Sequence, residues 1–396
     1  MRKQWGLQLI DFKSTSKSNF IKGSKDVVVA VIDTGIEEKH PMLKDNLWVN
    51  KGETGKDALG RDKATNGVDD DNNGYVDDVH GWNFVSQNNN LKDNHGHGTH
   101  IAGIIGAEGG KSKTSVWGVS PKVSIMVLKY YDPLTNGANN LSNTVKAIDY
   151  AVKMNANIIN YSGGGLEPSP YEKAAIERAR AKGILFVAAA GNEHSNSDMK
   201  GYYPADYDLD NIISVTAINK GLQKNGKGGS ILDSSNFGKN SVDIVAPGHN
   251  IYSTLPFDKG STGYLTGTSQ ATAFVSGVAA LILANNRDLQ AYQVIARINQ
   301  TGDYDESLKS KTKYGKVINT YRALTIKNHG LTLSGAVAEN SNDSFVPDQE
   351  QDRELSNDES GNNLASFSKA LKSHIVDQAG QQVVQKQNPT TEPNYY

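Results

Sequence analysis

From Asp26 onward the chain alternates short apolar runs rich in Val and Ile with stretches of helical period, the pattern of a parallel sheet covered by helices. Residues 27–32, 123–128, 158–161, 184–190, 212–218 and 242–245 read as strands, each bounded by Gly, Asn, Asp or Pro. Residues 142–154 place Val145, Ile148 and Val152 on one face, with Ser142 or Asn143 set to cap a crossover helix. Residues 171–182 repeat the arrangement with Ala175, Ile176 and Ala179 inward, and Gly183 stands where a left-handed stop is wanted. Residues 269–283 are almost wholly apolar after one turn, which predicts a helix buried through the domain centre. The expected fold is therefore α/β: a doubly wound, mainly parallel sheet flanked by helices, occupying residues 1–328.

Beyond that the composition changes. Between Glu339 and Glu359 there are eight acidic residues and one base, Arg353, among many Ser and Asn. Residues 329–396 therefore read as an acidic, largely disordered tail. Within it Leu364, Phe367, Leu371 and Ile375 would share one face if residues 363–378 were helical.

The 396 residues are ample for a buried core, and 41 basic side chains against 43 acidic ones give no attraction to nucleic acid or anionic membrane. No cysteine is present, so disulfides, thiolate metal sites and a cysteine nucleophile are excluded. The apolar runs 184–190 and 275–283 fall short of the roughly 20 residues of a spanning helix, so no membrane association is expected. Nor does an apolar stretch follow Arg2 and Lys3, so the expectation is a processed chain, secreted or periplasmic, with a cytoplasmic protein as the alternative.

Four segments carry chemistry. Asp33 ends the first apolar strand and is followed by Thr34 and Gly35, which sets a carboxylate at the carboxyl rim of the sheet, where open α/β sheets keep their sites. His95, His97 and His100 lead into an apolar helix. Zinc is the rival reading there, but no Cys exists and the Glu of the helical zinc-protease pattern is missing. Ser269 follows Gly267 and Thr268 at the start of the buried helix, where the positive helix end favours an anion formed beside its hydroxyl. Asn192 follows Ala188, Ala189, Ala190 and Gly191 at another strand end and is placed to donate from its amide. Singly, each of these has an ordinary role as turn residue or helix cap.

Together VIDTG at 31–35, HGTHIAG at 97–103, AAAGNE at 188–193 and GTSQA at 267–271 resemble the subtilisin family, or subtilases, in order and in flanking letters. The resemblance runs from about residue 4 to residue 328. It implies a serine endopeptidase with Asp33, His97 and Ser269 as catalytic triad and Asn192 as oxyanion donor. Ser162, Gly163 and Gly164 would pair with the substrate backbone, while Ala188, Ala189 and Ala190 floor the main pocket with Glu193 at its rim. Broad specificity with a preference for large uncharged side chains follows, as does a monomer acting on polypeptides. Two other readings stay open: a catalytically silent binding protein of the same fold, and a ligase or cyclase that passes the acyl group to an amine.

The chain departs from the family pattern at Gly163, where Leu is usual, at Gln270, where Met is usual, and at Ala273, where Pro is usual. Subtilases often hold calcium near the N-terminus, but Met42 stands where a ligand carboxylate is wanted. The segment 45–92 instead carries Asp69, Asp71, Asn73, Tyr75 and Asp77 at alternate positions, matching the first half of an acidic calcium loop. His80 at the twelfth position rules out an EF-hand, and a structural Ca²⁺ at those five residues is the expectation.

Overall fold

The computed structural model describes residues 3–17, 22–110, 112, 114–135, 137–220 and 230–326. The acidic tail and its 363–378 helix lie outside the described residues. Eleven strands occur among those described: β1 (Val28–Asp33), β2 (Gly81–Asn83), β3 (Ser124–Lys129), β4 (Ile158–Tyr161), β5 (Leu185–Ala189), β6 (Ile212–Ile218), β7 (Ile244–Pro247), β8 (Ile251–Thr254), β9 (Thr262–Leu265), β10 (Asp303–Tyr304) and β11 (Lys316–Val317). Nine of them form one sheet in the order β10-β11-β7-β6-β5-β4-β1-β3-β2, parallel throughout except between β10 and β11. β8 and β9 form a separate antiparallel pair.

The helices are α1 (Trp5–Leu9), α2 (Phe12–Lys17), α3 (His97–Gly106), α4 (Asn140–Lys153), α5 (Pro170–Ala181), α6 (Thr268–Asn285), α7 (Ala291–Thr301) and α8 (Thr320–Thr325). Strands β3 to β7 are buried at every residue, as a sheet covered on both faces requires, which is why their sequences are continuous Val/Ile runs without alternation. Helix α5 starts as its letters dictate: Ser169 accepts from the Glu172 backbone N–H, Pro170 occupies the first turn, and Gly183 follows the end at φ +70°.

Two expectations change. Helix α4 begins after Asn139, which makes no side-chain capping bond, and buries Asn143, Thr144, Ala147, Ile148, Tyr150 and Ala151, so its inner face is turned away from Val145 and Val152, which are only half-buried. The polar members of that face have partners: Asn143 Nδ2 donates to the Tyr130 carbonyl at 3.2 Å, and the Tyr150 hydroxyl donates to the buried Asp78 carboxylate. Helix α6 is longer than the run counted for it and by length and composition suffices to cross a membrane, yet 94% of it is buried within the fold. It packs against β4, β5, β6 and β7, and Ser276 Oγ ties it to Asn160 Oδ1 of β4 at 2.8 Å. Burying one such Leu or Ile side chain stabilises by roughly 1.5–3 kcal/mol, so this helix is a main source of the fold's stability.

From β1 the chain runs to β2 and then β3 on one side of it and crosses to β4 on the other, so the strand order reverses between β1 and β4. Ligands bind open α/β sheets at the carboxyl ends of strands beside such a reversal. Asp33 ends β1 and Ser162 follows β4, which places both there.

Candidate active site

Asp33 is buried at 3% exposure, and its Oδ1 and Oδ2 lie 2.8 and 3.0 Å from His97 Nδ1. His97 opens α3, and the loop before it is clamped to β1 by one buried carboxylate that the motifs did not reveal, Asp93. Its Oδ1 accepts from Thr34 Oγ1 at 2.8 Å, His95 N at 3.0 Å and Gly96 N at 2.7 Å. Its Oδ2 accepts from Thr99 N at 2.9 Å and Thr99 Oγ1 at 2.7 Å. Thr34 Oγ1 in turn accepts from Gly98 N at 2.9 Å, and a Cβ at Gly98 would fall 2.2 Å from the Gly35 carbonyl oxygen. Only glycine lets the two segments approach so closely.

Burial pulls the His97 imidazole down, but the Asp33 charge and hydrogen bond, with Asp93 behind them, outweigh it and raise its pKa above the ordinary value. With Nδ1–H directed at Asp33, Nε2 is the free, basic nitrogen.

Ser269 sits in the first turn of α6, behind Gly267 at φ 153° and ψ 173°. Its Oγ donates to the Ser162 carbonyl at 3.2 Å, in the segment that follows β4. Asn192 is fixed to the same turn: its Oδ1 accepts from Thr268 N at 3.0 Å and Thr268 Oγ1 at 3.2 Å. Its exposed Nδ2 has no partner among the described residues, and with the carbonyl side anchored it is left to donate outward.

Ser162, Gly163 and Gly164 run on from β4, and Gly165 pairs with Tyr203 through two backbone bonds of 2.7 Å. The missing Leu at position 163 has a steric cause, because a Cβ there would lie 2.5 Å from the Tyr130 hydroxyl and 2.8 Å from Tyr161 Cζ. Ala188 to Ala190 are buried in and just after β5. Glu193 is held by Asn236, whose Nδ2 donates to its Oε2 at 2.7 Å, and burial raises its pKa.

His100 is fully buried with Nε2 on the Ile251 carbonyl at 2.9 Å, and burial followed by the His97 charge lowers its pKa to about 3. His95 is lowered to about 4 by the same two causes.

In the acidic loop the structure brings Asp69 and Asp71 together with Glu53, a residue the motif did not include, their carboxylate oxygens lying within 4.8 Å of one another. Glu53 Oε1 accepts from Asp70 N at 2.7 Å and Asp71 N at 3.3 Å, but Oε2 is buried without a hydrogen-bond partner. Burial raises the Glu53 pKa, as expected of a carboxylate lacking a compensating charge. Asp77 is not in this group, and its carboxylate accepts from Gly67 N at 3.2 Å. The Asn73 side-chain carbonyl accepts from Tyr75 N at 2.7 Å, and the Tyr75 ring packs edge-on against Trp82, Phe84 and Tyr150. Three oxygen donors with one buried and unsatisfied suit a hard divalent cation such as Ca²⁺.

The model of the Subtilase family matches residues 24–317. Subtilisin-like protease 1 of Plasmodium berghei (strain Anka) is 34% identical over 335 residues, 81% of this chain and 53% of that protein. Subtilisin-like protease 1 of Plasmodium falciparum (isolate 3D7) is also 34% identical, over 82% of this chain and 47% of its own length. The chain thus spans about half the length of these curated relatives. Among solved structures, a cold adapted subtilisin-like serine proteinase superposes with a TM-score of 0.55 at 25% identity, covering 76% of this chain and 91% of its own. Fervidolysin from Fervidobacterium pennivorans, described as a keratinolytic enzyme related to subtilisin, gives a TM-score of 0.61 at 23% identity, over 82% of this chain and 46% of its own, and speaks for the fold alone.

Proposed function

This chain belongs to the subtilase family, and from that premise we propose that it is a serine endopeptidase, hydrolysing peptide bonds within polypeptides through an acyl-enzyme on Ser269. The observation that carries the reading is the Asp33 to His97 contact of 2.8 Å at the strand-order reversal, with the Ser269 turn tied to Asn192 beside it. In the first step Ser269 Oγ turns from the Ser162 carbonyl, His97 Nε2 takes its proton, and Oγ bonds to the carbonyl carbon. Asp33 holds the imidazole in the right tautomer and stabilises the imidazolium. Asn192 Nδ2 and the Ser269 backbone N–H, unpaired in the first turn of α6, receive the oxyanion. His97 then gives its proton to the leaving amine, and water attacks the acyl-enzyme by the reverse sequence.

Backbone pairing along Ser162 to Gly164 supports sequence-tolerant cleavage, since main-chain hydrogen bonds ignore side chains. Ala188 to Ala190 would floor the main side-chain pocket, and the size of side chain it takes depends on what stands between its walls. Glu53, Asp69 and Asp71 would hold a Ca²⁺ that neutralises the buried carboxylate and ties residues 50–78 to the domain.

A peptide acetylated at its N-terminus and amidated at its C-terminus tests the reading. Mass spectrometry should find it cut at an internal bond, whereas trimming only of unblocked peptides would contradict endopeptidase action.

A further inference from the structure

We propose that Tyr202 plugs the primary side-chain pocket, so that the residue supplying the scissile carbonyl must be small: Gly, Ala or Ser. This deepens the endopeptidase reading and rests on it. The carbonyl that Ser269 attacks has to lie between two segments, because Ser269 Oγ touches the Ser162 carbonyl on one side while Asn192 is anchored through Thr268 on the other. The side chain next to that carbonyl therefore descends between residues 162–164 and residues 190–192. Each wall carries a glycine, Gly164 and Gly191, and a slot lined by two glycines would admit a flat side chain.

The slot already holds one. A Cβ at Gly164 would fall 2.5 Å from Tyr202 Cε1 and 3.0 Å from Cζ, and a Cβ at Gly191 would fall 2.9 Å from Tyr202 Cδ2. The Tyr202 ring therefore packs against both walls at once, and the residue is only 2% exposed. Its backbone is held on both sides: Tyr202 N donates to Asp206 Oδ2 at 2.7 Å, and the adjoining Tyr203 makes the paired backbone bonds to Gly165. A substrate Phe or Leu would need the volume this phenol occupies, and displacing the ring would expose a large apolar surface and break its packing on the segments that follow β4 and β5. The expected preference for large uncharged side chains thus gives way to a preference for small ones.

The test uses internally quenched peptides that differ only at the residue on the carbonyl side of the cleaved bond. Wild-type kcat/KM should be higher for Ala than for Phe by about tenfold or more. Tyr202→Gly should reverse that order by raising the rate after Phe. Wild-type enzyme that cleaves best after Phe, Leu or Met would overturn the proposal, as would a folded, active Tyr202→Gly enzyme that keeps the wild-type order. A second measurement needs no variant: peptide boronic acids ending in an alanine analogue should inhibit the wild type about tenfold more tightly than those ending in a phenylalanine analogue. Equal or inverted inhibition would also overturn it. Absence of any cleavage, together with failure of a serine-directed phosphonate lacking a side chain to label Ser269, would remove the endopeptidase reading itself, and the pocket assignment with it.

Discussion

Asn192 is the residue whose loss should separate binding from chemistry. Its amide faces outward, so Asn192→Ala removes a donor needed only when the oxyanion forms. We predict a fall in kcat of about 10²–10³, the cost known for the corresponding donor of subtilisin, with KM nearly unchanged. An equal rise in KM would contradict this, since it would mean that Asn192 binds the ground state. The charge on Asp33 sets a second expectation. His97 works as a base only when neutral, and its pKa is raised, so activity should increase with pH through a midpoint above about 6.5. In Asp33→Asn the raising charge is gone, burial dominates, and the acid limb should move below that value while kcat falls by about 10⁴. A kcat/KM profile whose acid limb stays in place in the variant would refute this account of the imidazole. At this scale the proposed triad and oxyanion residues were legible as candidates because each stands inside a contiguous motif, and the fold sets two of them, Asp33 and His97, in contact. Glu53 and Tyr202 were not legible, because their partners are remote in sequence: Asp69 and Asp71 for the first, Gly164 and Gly191 for the second. Asp93 has near neighbours as partners in His95, Gly96 and Thr99, but its burial and its bond to Thr34 are set by the fold.

Among the elements, the strand ends and helix starts do the positioning. The six expected strands, β1 and β3 to β7, lie within a residue or two of their predicted runs, since a sheet covered on both faces leaves an unbroken apolar run; β2 and β8, also buried, were not read because Gly81–Asn83 and Ile251–Thr254 carry no such run. The inner face of α4 was misread because burial there is decided by specific partners for Asn143 and Tyr150, which apolar periodicity does not record. The junction of β1 and α3 shows the same limit, for Asp93 alone accepts five hydrogen bonds from that loop and from Thr34. Asp93→Ala leaves those donors unsatisfied and frees the turn that presents His97. It should lower kcat far more than it lowers affinity for a ground-state peptide. Asp93→Asn, which keeps two acceptor directions on one oxygen, should recover part of the loss. Equal kcat in Asp93→Ala and wild type would show that α3 is positioned by its packing alone.

For the whole molecule, the Glu53, Asp69 and Asp71 group couples stability to a cation. A ligand that binds only the folded state adds about 2.7 kcal/mol at a hundredfold excess over its Kd. Chelation should therefore lower the Tm of the wild type, and calorimetry should detect calcium binding that is lost in Glu53→Gln. The variant should also be insensitive to chelator, because the buried Oε2 is the donor that most needs the cation. A Tm indifferent to calcium and chelator in the wild type would remove the ion from this description.

All of the chemistry requires Ser269, His97 and Asp33 to act as one unit at the reversal of strand order. Treatment with a serine-directed fluorophosphonate, followed by mass mapping of the labelled peptide, tests this most directly. One label per chain is predicted, on Ser269, with casein hydrolysis lost in proportion, and none on His97→Ala. Labelling elsewhere, or full hydrolysis by Ser269→Ala, would contradict the account.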